Sequence, residues 1–266
     1  MNREQLYQEI QKKKSFLCVG LDSDIQKLPI HLGSSPNALL AFNKAIIDYT
    51  ADHCVAYKLN TAFYESLGSI GWQIMEKTLE YIPDNIFTIA DAKRGDIGNT
   101  VNMYAQAFFK HMNFDAVTVA PYMGRDSVDP FLEYEDKWVI LLALTSNKSS
   151  KDFQHIQSNG KALFEHVLIT SSTWGSADQI MYVVGGTQAD YLERVRKLVP
   201  DHFLLVPGIG AQGGDANAVI SQAKNNIGGL LINSSRGIIY ASNGTDFAQE
   251  SQKSAKALND LFRSHL

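Results

Sequence analysis

The sequence predicts an α/β protein, a single (β/α)8 TIM barrel, with residues 1–266 forming one domain. Three observations predict it. Eight short, β-rich apolar runs recur along the chain, and several segments between them have helical period. Strands alternating with helices imply βαβ units and a parallel sheet. The length, 266 residues, suits eight such units closed into a barrel. A doubly wound open sheet is the alternative architecture for this alternation. No Pro/Ser-rich linker or shift in composition divides the chain.

The strand candidates are Phe16–Leu21, Cys54–Leu59, Ile86–Ala90, Ala116–Ala120, Trp138–Leu144, Met181–Val184, Phe203–Val206 and Gly229–Ile232. Their hydrophobicity is continuous rather than alternating, as expected where both faces of a parallel sheet are covered. Asn37–His53 is helical in period through Leu39, Leu40, Phe42, Ile46, Ile47 and Tyr49. Ala189–Leu198 repeats the pattern with Tyr191, Leu192, Val195 and Leu198, and Leu67–Tyr81 and Thr100–Met112 also fit. The stretch Thr145–Lys161, TSNKSSKDFQHIQSNGK, is polar and follows the fifth strand. It reads as a solvated surface loop or as a lid over the barrel face that carries active sites.

Composition narrows the function. There are 24 basic and 28 acidic residues, 24 − 28 = −4. A general nucleic-acid-binding surface, usually basic, is not expected. Cys18 and Cys54 lie in apolar runs and make neither a disulfide framework nor a metal site. No two of the seven histidines fall at metal-ligand spacing, so no metal is expected. Residues 1–14 lack the apolar centre of a signal peptide, and the longest apolar stretch, Trp138–Leu144, is too short to span a bilayer. The expectation is a cytoplasmic protein with no membrane partner.

In a barrel the residues just past each strand do the chemistry. Here these are Asp22 after the first strand, Lys58 at the end of the second, and Asp91, Lys93 and Asp96 after the third. Thr145 and Ser146 follow the fifth, Gln212 the seventh, and Ser235 and Arg236 the eighth. On an extended chain Asp91 and Lys93 point the same way. A lysine between two carboxylates stays protonated, which makes it a cation and proton donor rather than a nucleophile. The bland reading is a salt-bridged rim. The glycines of Pro207–Gly214 suit a phosphate cradle of backbone N–H groups, with Gln212 adding an amide and Arg236 a bidentate fork. Gly208-x-Gly210-x-x-Gly213 also matches the dinucleotide fingerprint. It follows the wrong strand, and Asn233 stands where that fingerprint wants an acid. Simple helix-packing glycines are the remaining alternative.

Asp91-Ala-Lys93-Arg-Gly-Asp96-Ile-Gly-Asn-Thr100 resembles the D-x-K-x-x-D-I-x-x-T signature of the orotidine 5′-phosphate decarboxylase family. Pro207–Asp215, Ser235-Arg236, Gly20-Leu21-Asp22 and Lys58 resemble its other strand-end motifs, so the likeness runs from the first strand to the eighth. Length, the Thr-Ser-Asn after strand five and Val183–Thr187 resemble its longer, type 2 bacterial branch. The resemblance implies decarboxylation of the nucleotide orotidine 5′-monophosphate to UMP and CO2, the last step of UMP biosynthesis, without a cofactor. It implies Lys93 as general acid in a network with Asp91 and Asp96, and Asp22 and Lys58 on the ribose. Phosphate falls to Gln212, Ser235 and Arg236. Thr145 is the best match for the base-side hydroxyl, with Ser146 adjacent. It also implies a homodimer in which Asp96 and Thr100 reach the partner's site. The related Mg-dependent sugar-phosphate decarboxylases and aldolases are the alternative. They carry an acid where this chain has Lys58.

Overall fold

In a computed structural model, described for residues 1–186, 189–208 and 216–266, the strands are β1 Leu17–Gly20, β2 Ala56–Asn60, β3 Phe87–Arg94, β4 Ala116–Val119 and β5 Trp138–Leu144, then β6 Gln157–Ser158, β7 Lys161–Ala162, β8 Ile180–Val184, β9 Phe203–Pro207 and β10 Leu230–Ser234. Eight of them close a barrel in the order β1-β10-β9-β8-β5-β4-β3-β2. Each overlaps one of the eight apolar runs, although β3 continues past Ala90 to Arg94 and so contains Asp91 and Lys93, expected beyond its end. Wholly buried stretches such as Leu17–Gly20 and Ile180–Val184 explain why the runs do not alternate.

The chain divides into two compact units. One comprises Glu4–Ala92 and Asn233–Leu266, the other Met1–Arg3 and Lys93–Ile232. The helices of the first are α1 Arg3–Lys13 (which begins in the other unit), α2 Pro36–Thr50, α3 Thr61–Glu65 and α4 Ser69–Tyr81. The second carries α5 Gly98–Ala105, α6 Asp129–Leu132, α7 Leu163–Ser171, α8 Ala189–Leu198 and α9 Ala216–Ala223. α10 Arg236–Ile239 and α11 Phe247–Arg263 return to the first.

Helix α2 starts where the local chemistry asks it to. Ser35 takes the N-cap and accepts a hydrogen bond from the Ala38 N–H at 3.1 Å, and Pro36 occupies the first turn. Its apolar stripe, Leu39, Phe42, Ile46 and Ile47, is buried as the period requires. The segment Thr100–Met112 is helical too, but α5 passes into a π-helical turn at Gln106–His111. The terminal helices α1 and α11 have no counterpart among the helical segments read from the sequence. α1 buries only Leu6 and Ile10, too narrow a stripe to register against a polar background.

The polar stretch after β5 is folded rather than a plain solvated loop. A 3-10 turn at Lys148–Asp152 leads into an antiparallel hairpin, β6 with β7. Asn159 and Gly160, the two turn residues, have φ of 50° and 75°. Both signs suit the type I′ turn that Asn-Gly favours. Among the described residues no helix is long and apolar enough to cross a membrane.

Candidate active site

In the unit built from Glu4–Ala92 and Asn233–Leu266, three of the expected residues meet. Lys58 Nζ lies 2.9 Å from Asp91 Oδ2 and 3.3 Å from Asp22 Oδ1. The lysine is 4% exposed. Burial alone pushes an ammonium toward its neutral form. Here the carboxylates of Asp91 and then Asp22 outweigh it and hold the Lys58 pKa well above the ordinary value. The register that aligns them is Gly20 opposite Lys58 and Asn60 opposite Asp91.

The turn carrying Asp22 is fixed by buried polar groups. The Leu21 N–H donates to the Lys58 carbonyl at 2.8 Å, and Tyr64 Oη donates to the Leu21 carbonyl at 3.1 Å. Asn43 of α2 donates to Tyr64 Oη and Thr78 Oγ1 and accepts from Ser23 Oγ, at 3.1, 3.0 and 2.7 Å. At the end of β10, Ser235 Oγ donates to the Gly20 carbonyl at 3.0 Å. A Cβ on Gly20 would stand 2.8 Å from Ser235 Cβ, so only glycine lets these two strand ends approach. Ser235 precedes α10 without capping it through its side chain, and the helix's first residue is the exposed Arg236.

The second unit carries Lys93, Asp96, Thr100 and Thr145. Lys93 stands near the end of β3 with φ of 49°, in the left-handed region. Its N–H donates to Thr118 Oγ1 at 2.9 Å, which holds the bend. The extended geometry assumed for Asp91-x-Lys93 therefore ends at Lys93 itself. For a non-glycine residue such a conformation is strained and persists only when its surroundings enforce it. The Lys93 side chain is exposed, the Asp96 carboxylate accepts from the Ile97 N–H at 2.8 Å, and Thr100 lies exposed in the first turn of α5.

After β5 the two hydroxyls differ. Thr145 Oγ1 donates to Asn147 Oδ1 at 2.6 Å and accepts from Gln154 Nε2 at 2.9 Å, while Gln154 Oε1 takes the Thr145 N–H at 2.8 Å. Ser146 Oγ is buried with no hydrogen-bond partner among the described residues. It abuts Gly185, where a Cβ would overlap it. Gln212 and Thr187 lie outside the described residues. Sequence reasoning passed over Asn43, Tyr240 and Thr118, whose roles arise from helix and strand packing. It named Ser146 only as the neighbour of Thr145. Among the described residues no group of three His, Cys, Asp or Glu side chains could hold a metal ion.

The family model described as "Orotidine 5'-phosphate decarboxylase / HUMPS family" matches residues 15–250. The chain belongs to this family. Within the orotidine 5′-phosphate decarboxylase / HUMPS family, a Bacteroides fragilis protein named orotidine 5'-phosphate decarboxylase is 57% identical, over 100% of this chain and 98% of its own length. The protein of that name from Phocaeicola vulgatus is 59% identical over 95% of this chain and 96% of its own. Among solved structures, Leishmania donovani OMP decarboxylase superposes with a TM-score of 0.84 at 36% identity, over 98% of this chain and 100% of that one. All three relatives carry the first of the two family names.

Proposed function

We propose that the chain performs the reaction its relatives are named for, decarboxylation of orotidine 5′-monophosphate to UMP and CO2 in pyrimidine biosynthesis, within a single barrel domain. The observation that carries this is the near-full-length likeness to proteins of that name. The Lys58 ammonium bridging Asp22 and Asp91 supports the chemistry. In the reaction the C6–carboxylate bond breaks and its electron pair stays on C6. The Lys93 ammonium stabilises that developing charge and then gives C6 its proton. Asp91 lies beside the leaving carboxylate, and Asp96 completes the charge network. Asp22 and Lys58 take ribose hydroxyls. Gln212, Ser235 and Arg236 take the phosphate, whose binding energy lowers the barrier at the distant C6.

The hydroxyl of Ser146, buried with no partner among the described residues, makes it the better base-side contact, ahead of Thr145, whose hydroxyl is already engaged. In the Mg-dependent sugar-phosphate branch an acid stands where this chain has Lys58. An ammonium there repels a divalent cation, which favours the metal-free branch that the resemblance implies. The enzyme is a cytoplasmic homodimer, with Asp96 and Thr100 completing the partner's site. Exposed Ile97, Met103, Tyr122 and Met123, in the same unit as those two residues, give an apolar surface for the partner to cover. The deciding experiment follows orotidine 5′-monophosphate by absorbance, with EDTA present, for wild type and Lys93→Ala. Wild type turns over and the folded variant does not. A variant retaining a tenth of wild-type kcat removes Lys93 from the chemistry.

A further inference from the structure

The short helix α10 grips the turn that carries Asp22 at both ends. At its start, Ser235 Oγ holds the Gly20 carbonyl at 3.0 Å. At its end, the Tyr240 N–H donates to the Arg236 carbonyl at 3.2 Å. The Tyr240 hydroxyl accepts from the Asp24 N–H at 2.7 Å and donates to the Asp22 carbonyl at 3.4 Å. One hydroxyl thus spans the turn, and Asp22 between the two grips has its carboxylate on Lys58. The Tyr240 ring lies on Phe42 of α2, centroids 5.9 Å apart and planes at 21°, and Phe42 stacks in turn on Phe247 of α11. Stacking holds the ring and two hydrogen bonds hold the hydroxyl, so the side chain links helix and turn as a fixed rod.

We propose that Tyr240 is a positioning residue that couples phosphate bound at Arg236 to the placement of Asp22, and through Asp22 to Lys58 and Asp91. This rests on the reading of Arg236 as a phosphate contact and Asp22 as a ribose contact. Arg236 and Tyr240 bracket one turn of helix, so a phosphate that pulls on the first moves the second. The main chain of Asp22 and Asp24 follows the hydroxyl, because both hydrogen bonds are to backbone groups. Substrate phosphate then sharpens the charge network at the far end of the nucleotide, which is how remote binding energy raises kcat rather than only lowering KM.

The test is Tyr240→Phe, which deletes the hydroxyl and keeps the stacked ring. The fold of each variant is checked by its urea midpoint. kcat and KM are measured on orotidine 5′-monophosphate and on orotidine, which lacks the phosphate, in wild-type and Arg236→Ala backgrounds. The expected result is a fall in kcat/KM of about tenfold or more on the phosphorylated substrate, carried by kcat, and less than about twofold on orotidine. In the Arg236→Ala background the hydroxyl's effect shrinks to within about twofold on both substrates. Equal losses on the two substrates mean Tyr240 only stiffens the turn, and no loss means it does nothing for the reaction. Either result overturns the coupling and leaves the reading of Arg236 standing. An Arg236→Ala enzyme that keeps wild-type preference for the phosphorylated substrate overturns that reading instead, and the coupling falls with it.

Discussion

Lys58 keeps its proton although it is 4% exposed, because two carboxylates surround it. Removing one member of a buried ionic group costs more than its attraction is worth, since the others are left without a counter-charge. Lys58→Met should therefore lower unfolding free energy by about 3 kcal/mol. The folded pKa lies above the unfolded value of 10.5, so the stability it contributes is fully present below pH 10.5 and lost only above it. Urea midpoints for wild type and variant should run parallel from pH 6.5 to 9. Converging curves in that window would place the titration elsewhere. A second expectation concerns the hydroxyls after β5. Ser146→Ala should cost roughly ten- to hundredfold in kcat/KM, the effect of losing one hydrogen bond to a buried polar group, and more than Thr145→Ala. The charged residues were legible in the sequence because they follow apolar runs at predictable strand ends. The choice between Thr145 and Ser146 was not, because it depends on Gln154, nine residues on and brought back by a local fold. The left-handed φ of Lys93 was also hidden, since nothing in lysine's own preferences encodes it.

Asn43 joins helices α2, α3 and α4 to the turn after β1 through Tyr64, Thr78 and Ser23. Asn43→Ala would take from Ser23 Oγ and Thr78 Oγ1 their partner and from Tyr64 Oη one of its two hydrogen bonds, and about 3 kcal/mol of stability should go with them. Activity should fall as well, because the Asp22 turn loses its backing. A full wild-type urea midpoint would mean the network is dispensable. In the other unit, Arg196 of α8 donates to the carbonyls of Ala223, Val199, Pro200, His202 and Gly229, closing the ends of several elements at once. Both ring nitrogens of His202 are buried beside it with no partner among the described residues. Burial first, then Arg196 and Arg3, push the His202 pKa down to about 4. Above the unfolded value of 6.5 both states are neutral. Between 6.5 and about 4 the unfolded chain gains a proton that the folded one refuses, so stability falls as pH falls. The total should be about 3 kcal/mol, and His202→Phe should flatten that part of the Tm profile. An unchanged slope would assign it to other groups. The barrel strands could be read in advance because burial on both faces leaves continuous apolar runs. The β6–β7 hairpin escapes a reading by polarity although Asn159-Gly160 announces it, because a polar stretch at this place reads equally as a surface loop or a lid.

For the proposed dimer, complementation decides whether Asp96 serves its own site or its partner's. Lys93→Ala and Asp96→Asn homodimers should each be nearly inactive. After subunit exchange half the dimers are hybrid, and in each hybrid one of the two sites carries neither lesion. Activity should recover to roughly a quarter of wild type. Proven exchange without recovery would confine Asp96 to its own subunit. Eight apolar runs, helical period between them and the chain length suggested the closed eight-stranded barrel, and composition did not separate it from an open sheet. Subunit sharing has no such periodic signal and rests on the family motif. The two cysteines, noted earlier only as lying in apolar runs, have a practical consequence. Cys18 and Cys54 are wholly buried; burial pushes both thiols up, Cys54 to about 11. At pH 8 burial keeps both thiols protonated and out of reach of solvent. The native protein is therefore silent to maleimide dyes, and a single cysteine introduced at exposed Phe153 becomes an unambiguous fluorescent reporter on the folded excursion beside β5.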